Sequence, residues 1–158
     1  LIAEIYSMYA FNNQWQLRQR TEIVGEAPSA DMREWTANMF VEKVRTNVRE
    51  AMADSVLLLN TSSRTYIPFV ELGETSEYYH HDMYHLLATR GIVALQQVAG
   101  LDRATPVEDI SEDSSAEKES SVKQDIIAIY GNMIAAYKAS GLKRRLCVDS
   151  AQLFRVET

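Results

Sequence analysis

Ser121-Val122-Lys123-Gln124-Asp125-Ile126-Ile127-Ala128-Ile129-Tyr130-Gly131-Asn132-Met133-Ile134-Ala135-Ala136-Tyr137-Lys138 is the most regular stretch of this chain. Val122, Ile126, Ile129, Tyr130, Met133, Ile134 and Tyr137 recur at intervals of three and four, the spacing of a helix with one apolar face. Ser121 and Gln124 have the spacing of a capping box, and Gly141 supplies a C-terminal stop. A face this apolar must be buried against other elements, so the rest of the chain is read for helices that complete a core.

Three such segments precede it. Residues 2–20 carry an apolar stripe of Ile2, Ile5, Met8 and Tyr9 without Gly or Pro, and Gly25 to Ser29 break the pattern. Residues 31–58 place Ala37, Phe40, Val41, Val44, Val48, Ala51, Met52 and Ser55 on one face, with Ser29 or Asp31 as cap. A third helix spans 75–98, with Thr75 as cap and Gly100 as stop. Two segments read as extended: 66–72, where Pro68 restricts the strand to an edge, and 145–156, where apolar and polar residues alternate. The expected fold is mainly α: four principal helices in a bundle or irregular array, with a minor β element around 66–72 and 145–156.

At 158 residues the chain fits one domain covering 1–158, large enough to bury a core without disulfides. Its composition, 46% hydrophobic and 24% charged, is that of a soluble globular protein. The net charge of −6 is concentrated in an acidic, Ser-rich loop at about 102–120, where seven acidic residues face two basic ones. This balance lacks the basic footprint of nucleic-acid binding. Arg45 and Arg49, one helical turn apart, have the spacing of an anion grip, but solvated positions on a long helix explain them more simply. The single cysteine, Cys147, excludes an internal disulfide and reads as a small buried hydrophobe, which favours a reducing compartment. No apolar run reaches the ~18 residues of a membrane span.

All three histidines fall in Glu77-Tyr78-Tyr79-His80-His81-Asp82-Met83-Tyr84-His85. On a helix His81 and His85 lie one turn apart on the same face. Amphipathic side chains of this kind suit a partner-facing surface, with Tyr78, His81, Tyr84 and His85 as the contact residues. The alternative is a divalent transition metal held by Glu77, His80, His81, Asp82 and His85, with ligands from other segments completing the shell. A Glu-x-x-His pattern occurs once, as Glu77 to His80, where di-iron bundles use two. His81 is followed by Asp82 rather than the Glu of a zincin. A third expectation is pH sensing, since clustered imidazoles charge and repel one another near pH 6. With no complete catalytic set, the residues point to a noncatalytic helical subunit for assembly or scaffolding, with a protein partner or self-association and no cofactor.

Overall fold

The computed structural model describes residues 1–20, 29–67, 71, 73, 82–102, 121–138 and 143–157. The fold is mainly α, as expected. Helix α1 (Ile2–Asn12) is separated from α2 (Gln14–Gln19) by Asn13. There the Asn13 side-chain amide donates to the Tyr9 carbonyl at 2.8 Å, a local bond that competes with the helical ladder.

The long helix expected over 31–58 is interrupted twice. Asp31 caps a short 3₁₀ turn, Met32–Glu34, by accepting from the Arg33 amide. Thr36 then caps α3 (Ala37–Ala51). Asp54 caps α4 (Ser55–Asn60) by accepting from the Leu57 amide at 2.9 Å. A short acidic side chain stabilises a helix start better than a helix interior, so the chain restarts at Asp54.

Helix α5 (Met83–Ala99) is the hub of the array, packing against α1, α3, α4 and the following helix α6 (Ser121–Lys138). Its cap is Asp82; the Thr75 expected in that role lies outside the described residues. On α6, Val122, Ile126, Ile129, Tyr130, Met133 and Tyr137 are all buried, as their spacing requires. The capping box expected there is replaced by a longer-range one. Asp102 accepts from the Ser121 hydroxyl and, at 3.0 Å, from the Val122 amide.

The expected β element fails at 145–156. Residues 143–157 form a helix, α7, packed on α6. Its inward positions are Asp149, Leu153 and Val156, spaced by four and three. The alternation that suggested a strand is short, and the true periodic face begins with a charged residue that hides it. At 66–72, Tyr66 ends a 3₁₀ turn (Ser63–Tyr66) and most of the remainder lies outside the described residues. Among the described residues, bridging reduces to one isolated antiparallel pair, Ser62 with Asp82. The acidic segment lies outside the described residues at 103–120, as does the Gly141 stop.

Phe40, Val44, Leu95, Val98 and Met133 form the centre of the core. Tyr6, Trp35, Phe40 and Tyr9 extend it as a chain of rings with centroids 5.2–5.4 Å apart. Where α5 crosses α3, a Cβ on Gly91 would stand 2.9 Å from a methyl of the buried Val48. Gly91→Ala gains about 1 kcal/mol of helix propensity, yet the crowding costs about 1–3 kcal/mol. The expected net result is destabilisation in urea unfolding, relieved when Val48→Ala is added.

Candidate functional site

Asp82 stands where α5 begins, nearly sealed from solvent. Its Oδ1 accepts from the His85 backbone amide and from the Tyr137 hydroxyl, both at 2.8 Å. The first bond starts α5; the second ties that start to the far end of α6. His85 lies one turn in. Its Nε2 is 3.5 Å from Oδ1 of Asp149, delivered by α7, and its ring meets the Tyr137 ring edge-on at 5.7 Å. Asp149 Oδ2 is buried and accepts no hydrogen bond from the described residues. Burial, together with the nearby Asp149 charge, raises the pKa of Tyr130.

This arrangement differs from the surface expected of the histidine segment. Tyr84 and His85 are each only 4% exposed, so neither presents a contact surface to a partner. Asp82 turns inward as a helix cap. Tyr78, His80, His81 and Glu77 lie outside the described residues. A carboxylate does arrive from a distant segment, since Asp149 is 64 positions from His85 by their numbering. The sequence does not signal this meeting, because the alternation at 145–156 reads as a strand. Among the described residues no three His, Cys, Asp or Glu groups are disposed to hold a metal ion. His85 and Asp149 are also too enclosed to receive a substrate. The His85–Asp149 approach and the Asp82–Tyr137 bond together join α5, α6 and α7.

Two features reach solvent. The first is a cleft of about 510 Å³ between α3, α4, α5 and α6. Arg45, Arg49 and Asp125 stand at one end, and Tyr84 and Ala136 line it further along α6. Arg45 Nε donates to Asp125 at 2.5 Å and Arg49 Nη2 donates to the same carboxylate at 2.8 Å. The two arginines are thus clamped by an acid on a facing helix rather than merely solvated. Desolvation pushes the Asp125 carboxyl upward in pKa, but the two guanidiniums outweigh it and the net shift is downward. A depressed folded-state pKa gives stability that is present above the unfolded value, near 4, and lost as pH falls through the folded one. Asp125→Asn is therefore expected to be less stable at pH 6 and to lose less on acidification to pH 2.5, read as urea midpoints.

The second feature is the outer face of α1. Its inward face is made of small residues, Ala3, Ser7 and Ala10, all buried. The large apolar residues Leu1, Ile5, Met8 and Phe11 point away from the core, and Trp15 of α2 continues them. Met8 is 57% and Trp15 74% exposed, far beyond the scattered exposure normal for single hydrophobes. Of the stripe visible in the sequence, Ile2, Ile5 and Met8 face solvent, whereas Tyr9 packs on Phe40. Among the described residues no helix is long and apolar enough to cross a membrane.

The chain matches no family model, no curated protein and no solved structure at a significant level.

Proposed function

We propose that this chain is a noncatalytic helical module serving assembly, and that it docks onto a second copy of itself through the outward face of α1. The carrying observation is the exposed row Leu1, Ile5, Met8, Phe11 and Trp15. A stable helix ordinarily turns its large apolar residues inward; α1 turns Ala3, Ser7 and Ala10 inward, packs Tyr6 and Tyr9 against the core, and leaves its large aliphatic residues, Met8 and Phe11 to solvent. Contiguous apolar surface of this kind marks an interaction site. The partner is argued from charge. The chain carries −6, which separates copies in solution, whereas the row itself is uncharged. Glu4, the one acid on α1, is held by Arg90. Two such rows meet antiparallel without opposing like charges, the self-complementary arrangement of a two-fold dimer.

Trp15 reports on this directly, because Trp35, the other tryptophan, is buried. As protein concentration rises, Trp15 emission is expected to shift to the blue and acrylamide quenching to fall. Quenching that stays constant over a thousandfold concentration range contradicts the reading.

A second reading, metal binding at the histidine cluster, draws on the approach of Asp149 to His85. Stoichiometric zinc or another transition metal in untagged protein, lost in His85→Ala, is the result that supports it. Metal-free protein with unchanged stability on chelation opposes it.

A further inference from the structure

The geometry points to a binding site for an elongated amphiphile carrying a single negative charge, such as a medium-chain carboxylate, in the cleft between α3, α4, α5 and α6. Its volume, about 510 Å³, lies in the range of small-molecule sites. The walls are mixed: Val48, Met52, Leu59, Leu95 and Ile129 supply apolar surface, and Ser55 and Asn132 add polar groups to those of Arg45, Arg49, Asp125 and Tyr84. The cleft is also long. Asp125 and Ala136 both line it, and their separation along α6 is about 16 Å at the helical rise.

Charge decides the head group. Two guanidiniums line the cleft against one carboxylate. Glu42, which also accepts from Arg45, is exposed on the surface outside it, where water screens its charge. Arg45 is largely buried and engages both acids through Nε and Nη1. Arg49 is different. Its side chain is more than half exposed and donates only through Nη2, to Asp125. A guanidinium has five donors in a planar fork, so the hydrogens on Nε and Nη1, which lie on different edges of the fork, each remain for a ligand oxygen while Asp125 stays in place. A charge-assisted hydrogen bond from either edge to a ligand carboxylate is strong.

A second observation is independent of charge. Tyr84 lines the same cleft and is 4% exposed. Burial raises its pKa, so it stays a neutral donor and acceptor. A neutral phenol in the wall offers a bound molecule both a donor and an acceptor.

The test is titration of the full chain, followed by amide NMR shifts and calorimetry, with three probes of one chain length: decanoate, decan-1-ol and decyltrimethylammonium. Decanoate is expected to bind saturably and shift α3 and α6 amides, decan-1-ol to bind about tenfold more weakly, and the cation not to bind. Arg49→Gln lowers decanoate affinity about tenfold and leaves decan-1-ol unchanged. Ala128→Trp, at an exposed position on the cleft rim, abolishes both without disturbing the fold. Equal affinity for decanoate and decan-1-ol overturns the anionic head group. Decanoate binding that survives Ala128→Trp places the molecule elsewhere, as on the α1 row, and overturns the cleft. These outcomes do not depend on whether α1 pairs, because no α1 residue lines this cleft.

Discussion

Met133→Asp is expected to leave the chain unfolded at room temperature. Met133 is 0% exposed at the centre of the α6 face. Truncating a buried Met alone costs about 2–5 kcal/mol through lost contacts and the cavity left behind. A carboxylate there either remains charged without a partner or takes up a proton, and both add several kcal/mol. Against a typical total stability of about 5–15 kcal/mol, the sum is enough to empty the native state. Far-ultraviolet circular dichroism and amide dispersion check it. Asn132→Asp is the control: one position away but exposed, it introduces a similar charge and is expected to keep the fold with a change within about 0.5 kcal/mol. Equal behaviour of the two variants is incompatible with the core described above.

Asp82→Ala is the second large effect. The substitution removes the cap of α5, worth about 1 kcal/mol. It also leaves the Tyr137 hydroxyl, buried at the other end of the tie, without its acceptor, which costs about 1–3 kcal/mol. A total near 3 kcal/mol is expected in urea unfolding. Asp82→Asn keeps an acceptor in both roles and is expected to recover most of the loss. Because the cap and the tie share one carboxylate, Asp82→Ala and Tyr137→Phe are not expected to add; a coupling of about 1 kcal/mol is the signature. Simple additivity means that Asp82 acts only as a cap.

These two residues also show where the sequence was legible. Met133 belongs to a periodic face whose spacing alone names it as core, and the structure buries it. Asp82 was visible only as a member of a histidine-rich string. Its burial comes from Tyr137, 55 positions away, and no local pattern encodes that meeting. The same holds for Asp102, which caps α6 from across a segment of 18 residues, and for Asp125, whose pairing with Arg45 and Arg49 requires α3 and α6 to face one another. Asp149 failed for a different reason. A charged residue opens the inward face of α7, so the helical period there was disguised as alternation.

Helix α1 is the instructive case for function. Its apolar spacing is real, but spacing does not say which face is inward. That is decided by what packs against it: α3 and α5 approach the small residues Ala3, Ser7 and Ala10. Close approach of helices favours small side chains; Tyr6 and Tyr9 pack at the flank of that seam, and Ile5, Met8 and Phe11 are left on the other side. The apolar row on the outside is therefore a consequence of the packing that makes the core, and it gives the chain a surface that water solvates poorly.

Sedimentation equilibrium of the full chain beside its Met8→Glu, Trp15→Glu variant tests the assembly claim most directly. Both positions are exposed in the single chain, so the variant is expected to fold. The expected result is a concentration-dependent dimer for the parent chain and a monomer for the variant. A parent chain that remains monomeric at every concentration, or a variant that dimerises as readily, contradicts the claim that α1 is the docking face.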